Sequence, residues 1–451
     1  MLILKIFETM SSIKFNNTSF SWGAEMRLFK LILATMALGS ATALTGVAAA
    51  DEVANFYKDK RITMWIGYSS GGGYDRYART LSRHMGRHIP GNPKFVAKNK
   101  TGAGSLILTN EVYSTLPQDG TVIAAVGRGM AMEPLFGNKQ AKFDPRNFGW
   151  LGSTNNEVSV CVSMSGTGIK TFRDLQTRGM TVGGTGKGGD TDTFPTVLNN
   201  LLETRFKLVT GYPGGNDINF AMEKGELDGR CGWSWSSVKA TRGKWIKSGK
   251  INVLIQMSTA KHAEIPSSVP LIIDLAKSET DKKIMKLIFA RQAWGRPFNT
   301  TPNVPKARLA ALRAAFIATM KDPKYIADMK RQKLELNPIS GQQIQKMIKD
   351  LYNSPKDLVA LASNAASNDA ALNVSKATIP ILIHQGKITK LKRGGRRVKW
   401  KGVKAKGKLK VKGKTKIFVA GKKVKRKAMK VGMNCTFKVR GVETALEISC
   451  K

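Results

Sequence analysis

Two hydrophobic periods alternate along most of the chain. Residues Arg61 to Tyr68 form a nearly unbroken apolar run that stops at Ser69-Ser70-Gly71-Gly72-Gly73. Tyr77, Leu81 and Met85 then recur at helical spacing until Pro90-Gly91. That order predicts a buried strand, a glycine turn and an amphipathic helix. The plan returns at Met180–Gly183, where a strand enters a second glycine turn and Phe194, Val197, Leu198, Leu201 and Leu202 form a helical stripe. Further strands are expected at Thr121–Val126, Lys207–Thr210, Leu227–Gly232 and Lys250–Ile255. Helices are expected over Lys170–Leu175, Asp217–Lys224, Lys306–Met320 and Gln342–Tyr352. Strand and helix alternating over residues 57–365 argue for an α/β sandwich with mostly parallel sheets.

Beyond residue 385 the period drops to two. Val398 and Trp400, Val403 and Ala405, Leu409 and Val411, and Ile417 and Val419 alternate with lysine, and Gly402, Gly407, Gly413 and Gly421 stand where turns are expected. Val431–Val439 and Thr444–Cys450 read as a closing hairpin. The tail is therefore expected to be a small β-meander or barrel with one face coated in lysine.

Charge divides the chain at the same place. The formal net charge is +43, and after residue 384 there are 24 basic residues against only Glu443 and Glu447. At the other end, Arg27 and Lys30 precede a short apolar run, Leu31–Leu44, and Ala48-Ala49-Ala50 precedes Asp51. This is the pattern of a secretory signal peptide over residues 26–50, too short for a membrane span, so a periplasmic location is expected. Residues 1–25 carry neither period, as an upstream start codon or a genuine extension would leave them. Export makes disulfides plausible for the four cysteines. One pair falls in each composition zone, which favours Cys161 with Cys231 and Cys435 with Cys450, though spacing alone does not prove connectivity.

Glycine turns that open helices let backbone N–H groups approach a ligand closely, and the helix adds unpaired donors and the positive end of its dipole. Two such turns aimed at one cleft would trap an anion. The landmarks Gly71-Gly72-Gly73-Tyr74-Asp75 with Arg79, Asn99 with Gly102-Ala103-Gly104, Asp119-Gly120, Gly183 to Gly189, Gly211-Tyr212-Pro213-Gly214-Gly215 and Gly225-Glu226-Leu227-Asp228 occur in a specific order. Over residues 57–355 the chain resembles the substrate-binding proteins of tripartite tricarboxylate transporters, the Bug receptors. The resemblance implies a two-lobe periplasmic-binding-protein-like (type II) α/β fold with a hinge. Lobe 1 would comprise residues 51–157 and 257–367, and lobe 2 residues 158–256. A linker over 368–385 would lead to a basic, all-β domain over 386–451, which ordinary Bug receptors lack and which resembles no family recognised here.

By position, the resemblance makes Ser69, Ser70, Gly71, Gly72 and Gly73 one jaw and Thr185, Gly186, Gly188, Gly189 and Thr191 the other, with Tyr212 and Gly214 at the mouth. Arg128 past a strand end and Trp233 after a strand are further candidates for ligand contact. The implied ligand is a small organic carboxylate, and the implied partners are the membrane permease subunits of a tripartite transporter. Tyr68-Ser69-Ser70 stands where the family carries proline and phenylalanine, which points to a more polar ligand. Asp75 is expected to stabilise its own helix.

Competing chemistry finds little support. Gly184 to Gly189 matches the dinucleotide fingerprint, but an exported protein meets little NAD. His84 and His88 stand four apart beside Arg83 and Arg87, as expected of a solvated helix face, not a cation site. No arrangement of acid, base and nucleophile stands out, so no enzyme, cofactor or metal is expected. The basic tail is expected to bind polyanions, among them cell-surface polymer or lipid, by counterion release. Two functional readings remain open: a carboxylate receptor, or a ligand sensor or surface adhesin whose tail does the binding.

Overall fold

A computed structural model describes residues 51–367, 373–376, 381–403, 405–440 and 444–451. The expected signal peptide and much of the expected linker lie outside the described residues. Strands β1 (Arg61–Ile66), β2 (Lys94–Asn99), β3 (Val122–Ala125) and β4 (Gly149–Ser153) come first. Next are β5 (Ser159–Met164), β6 (Met180–Gly183), β7 (Phe206–Thr210), β8 (Gly229–Ser234) and β9 (Ile251–Met257). The chain then adds β10 (Pro297–Thr300), β11 (Ile339–Ser340) and β12 (Asn373–Lys376).

These strands form two sheets, ordered β11-β4-β10-β3-β1-β2 and β12-β7-β6-β8-β5-β9. Strand β1 is parallel to β2 and β3, and β6 is parallel to β7 and β8, as the strand–turn–helix pattern requires. The chain crosses between the sheets at residues 154–158, returns between β9 and β10, and crosses a third time to place β12 beside β7. That last crossing places a short strand within the segment expected to be the linker.

Each lobe has its own core. Ile62, Met64 and Ile66 on β1 bury one face against Tyr77 and Leu81 of helix Gly73–His84, with Phe298 and Phe316 behind. In lobe 2, Val160, Val162, Ile218, Met222 and Trp233 pack together. Each such side chain contributes about 1.5–3 kcal/mol. A larger cluster spans both lobes, running from Leu108 and Met132 to Phe194, Leu198 and Phe289. Helix Lys356–Ser367 lies on helices Asp190–Leu202 and Glu279–Phe289, so segments expected in lobe 1 lean on lobe 2. The short helix expected at Lys170–Leu175 forms at Asp174–Thr177, because the Asp174 carboxylate accepts the N–H groups of Lys170 and Thr171 ahead of it.

The tail folds into a third sheet of β13 (Ile381–Lys392), β14 (Arg397–Lys401), β15 (Lys406–Val419), β16 (Lys422–Lys423), β17 (Asn434–Arg440) and β18 (Thr444–Cys450). Its order is β14-β13-β17-β18-β15-β16, and β14 also pairs with β15, which closes the sheet into a small barrel. Ile388, Val398, Trp400, Leu409, Ile417, Phe437 and Ile448 fill it. Gly407 and Gly413 do not make turns; both lie inside the long β15. The disulfides Cys161–Cys231 and Cys435–Cys450 are both present, the second joining residues directly opposite on β17 and β18.

Candidate ligand-binding cleft

Both glycine turns open helices, at Gly73–His84 and Asp190–Leu202, and both helices start at the junction between the lobes. Helices Gly215–Glu223 and Trp235–Lys247 start there too. Between these four helix starts lies a small cavity of about 50 Å³. Its wall includes Gly72, Gly73, Arg128, Thr185, Thr191 and Trp233, all singled out in the sequence.

The other sequence candidates brace the lobes against each other. Ser69 donates its N–H to the Pro213 carbonyl (3.0 Å) and its hydroxyl to Asp217 Oδ2 (2.5 Å). Gly71 donates to Asp75 Oδ2 (2.9 Å), so Asp75 holds the jaw loop. The second turn meets lobe 1 at Gly104, whose N–H donates to the Thr185 carbonyl (2.8 Å). Gly104 has φ +62°, and a Cβ there would lie 2.8 Å from the Gly186 carbonyl oxygen and the Gly189 nitrogen, so the lobes touch backbone to backbone. The backbone donors of Thr185 and Gly186 point at Asp192 Oδ2 (2.6 and 2.9 Å), a correction to the expectation that they are offered to a ligand. Gly188 faces the Glu133 carboxyl, and Gly214 lies against Ser69. Tyr212 packs into the lobe 2 core, and burial pushes its hydroxyl up to about 12. Ser70 sits at the rim, where it accepts a hydrogen bond from Lys410 Nζ of the barrel (2.6 Å).

Charge inside the cavity is dominated by arginine. Arg128 is buried and fully engaged, donating to Asp190 Oδ2 (2.6 Å), Ser159 Oγ (2.8 Å) and Ser234 Oγ (2.9 Å). Arg296 is paired with Glu157 (2.8 Å) and donates to Ser237 Oγ (2.7 Å). Arg230 is different. It is 9% exposed, lies over the Trp233 ring and donates to the Gly215 carbonyl (3.0 Å) and Asn219 Oδ1 (3.1 Å), yet its Nε has no partner. No carboxylate among the described residues pairs with it. Burial first, and then the positive charges of Arg296 and Arg242, bring its guanidinium down to about 9, a measure of how poorly the positive charge is compensated. A Cβ on Gly215 would lie 2.2 Å from Arg230 Nη2, so a glycine at this helix start lets the guanidinium lie against the backbone.

Sequence reasoning missed Arg230, Arg296, Tyr68, Tyr74 and Asp190 as wall residues. Arg230 carried a usable signal: it is the only charged residue in β8, every residue of which is buried. Asp190 was hidden because a first-turn acid looks like ordinary helix stabilisation. The cavity thus combines helix starts from both lobes with an uncompensated guanidinium. This arrangement is suited to holding an anion.

The solved structure of the periplasmic binding protein BugD superposes with a TM-score of 0.56, at 19% identity, over 71% of this chain and all of that one. The chain has the fold of the Bug periplasmic binding proteins. Within that fold, MatC from Rhodopseudomonas palustris, solved with bound malate, gives a TM-score of 0.53 at 14% identity over 66% of this chain and 99% of its own. Another R. palustris protein, solved with adipate, gives 0.53 at 14% over 68% and 97%. No protein-family model matches the sequence, and no curated protein matches it.

His84 and His88 are not on a solvated face, as the sequence suggested. His84 Nε2 lies 2.9 Å from Asp328 Oδ2 and His88 Nε2 2.7 Å from Asp322 Oδ2, with Arg83 and Arg87 on the same two carboxylates. They fasten helix Gly73–His84 and the turn after it to helix Pro323–Arg331 and have no part in the cleft.

Proposed function

We propose that this protein is an exported, periplasmic receptor that closes its two lobes on a small organic carboxylate and delivers it to the membrane permease of a tripartite tricarboxylate transporter. The role is capture, not catalysis. The observation that carries this reading is Arg230: a buried guanidinium with no carboxylate partner among the described residues, facing a cavity ringed by helix starts. A ligand carboxylate supplies the missing charge, with charge-assisted hydrogen bonds of about 1.5–3 kcal/mol each. The malate and adipate bound to proteins of the same fold make four- to six-carbon dicarboxylates the first candidates. Gly72, Gly73, Arg128, Thr185, Thr191 and Trp233 are proposed as the contacts shared with the sequence reading, to which the cavity adds Arg230 and Tyr68. The basic C-terminal domain holds the receptor to anionic surfaces of the envelope.

A thermal-shift panel of mono-, di- and tricarboxylates on protein stripped of copurified ligand tests the reading. Saturation at about 100 times Kd stabilises the folded state by about 2.7 kcal/mol, a shift of several degrees. No shift with any carboxylate overturns it. The second reading, a sensor or adhesin that acts through its tail, is favoured only by the charge of the barrel. Removing residues 381–451 separates the two, because the receptor keeps its carboxylate affinity without them.

A further inference from the structure

We infer that the C-terminal barrel carries a defined polyanion groove and that its occupant is an acidic polysaccharide. The inference rests on the anionic-surface reading above and gives it a location and a ligand class. The groove is built from three segments: the β13–β14 turn with Arg393 and Arg396, the middle of β15, and the stretch from Lys423 at the end of β16 to Lys427. Of its fourteen lining residues nine are lysine or arginine, and none is acidic or aromatic. Such a concentration is not a by-product of strand alternation. The parallel register of β15 with β18 breaks between Val411 and Lys416, and Thr415 Oγ ties the bulge down by accepting from Lys412 N (3.0 Å) and donating to the Ala445 carbonyl (2.7 Å). A bulge re-aims side chains, and Lys412 and Lys414 beside it line the groove together with Lys423 and Lys425.

A concave basic site focuses potential, so it should hold a polyanion better than the lysine row Lys390, Lys399 and Lys408, which runs in register across β13, β14 and β15 outside it. The class of occupant follows from what the groove offers. Single-stranded nucleic acid is held in large part by bases stacking on aromatic rings, and none lines this site. A flat lipid surface does not match a concavity. A chain carrying carboxylate or sulfate along its length and no bases fits charge alone. Small closed barrels of the OB type take oligosaccharides as well as oligonucleotides on the strands and loops beside their first hairpin, and the β13–β14 turn borders this groove.

Binding of the full chain to heparin, an unstructured single-stranded thymidine oligonucleotide and anionic phosphatidylglycerol vesicles, each over a range of salt, tests the inference. The groove variant Lys412→Gln/Lys414→Gln/Lys425→Gln is compared with the row variant Lys390→Gln/Lys399→Gln/Lys408→Gln; all six lysines are exposed. Heparin is expected to bind tightest, the groove variant to lose at least tenfold with a shallower salt dependence, and the row variant to lose less than threefold. Equal losses in both variants overturn the groove but leave the anionic-surface reading standing. Tighter binding to the oligonucleotide or the vesicles overturns the polysaccharide. No binding to any of the three at low salt overturns both the groove and the anionic-surface reading.

Discussion

At the scale of single residues, the account depends on close backbone contact and on one uncompensated charge. Gly104 is the point where the lobes press together. Gly104→Ala puts a Cβ at positive φ and into the Gly186 carbonyl, a backbone atom that cannot swing aside. The expected outcome is a destabilisation of about 1 kcal/mol or more and a carboxylate affinity lowered at least tenfold, because the lobes no longer close fully. Scattering should show a larger radius of gyration than wild type in the presence of ligand, and an unchanged radius and affinity would argue against this contact. Much of the cleft at this scale was legible beforehand. Gly72, Gly73, Thr185 and Thr191 reach the wall because glycine turns that open helices have few physical uses. Arg230 was not legible by spacing, since strands from different parts of the chain create its surroundings. Nor was the capture of the Thr185 and Gly186 donors by Asp192, which depends on a side chain folding back over its own turn.

Elements were read more securely than residues, because a repeated period sums many weak preferences. The strand–turn–helix units at Arg61 and Met180 formed as expected, and so did the closing hairpin β17–β18. The glycines of β15 misled, since glycine marks bulges and close approaches as well as turns. Two predictions belong here. Glu335 joins elements of both lobes: it pairs with Lys239 of helix Trp235–Lys247 (2.6 Å) and with His262 (3.3 Å), and it accepts from Asn155 (3.3 Å). Burial raises its pKa, but hydrogen bonds and charge from His262 and Lys239 outweigh that and hold it at about 2. The folded value lies below the free value of 4.5, so the contribution is complete above pH 4.5 and is lost as pH falls toward 2. After screening, it amounts to about 1–2 kcal/mol. Denaturation of Glu335→Gln is expected to show a correspondingly flatter pH dependence than wild type between pH 5 and 3, whereas parallel curves would remove Glu335 from the acid response. In the barrel, Cys435 and Cys450 close a loop with a sequence separation of 15. Replacing both with serine is expected to cost about 3 kcal/mol. Limited proteolysis should then cut the barrel first while carboxylate affinity persists, and loss of that affinity would mean that the barrel supports the cleft.

For the whole molecule, the charge asymmetry visible in composition corresponds, on the proposed reading, to two kinds of anion site. The two lobes bury a little positive charge inside a small cavity, suited to a small solute. The barrel displays much positive charge on an open surface, suited to a polymer. Salt should therefore act unequally: polymer binding falls steeply with salt, while binding in the closed cleft changes little, since buried charge is weakly screened. Titrating each ligand at 50 and 200 mM salt checks this, and comparable salt slopes would contradict it. The α/β class was legible because alternation of strand and helix over hundreds of residues admits few architectures, whereas the two-lobe plan came from the resemblance to the Bug receptors. The third crossing of the chain was not legible, because β12 carries no strand pattern of its own and is defined by its pairing with β7. Arg230 is proposed to supply the charge that fixes a carboxylate between the lobes. Calorimetric titration of malate and adipate into ligand-free wild type and Arg230→Gln tests it most directly. The account predicts micromolar binding of at least one dicarboxylate by wild type and a loss of 10- to 100-fold in the variant, with little change in melting temperature; equal affinities in the two proteins would contradict it.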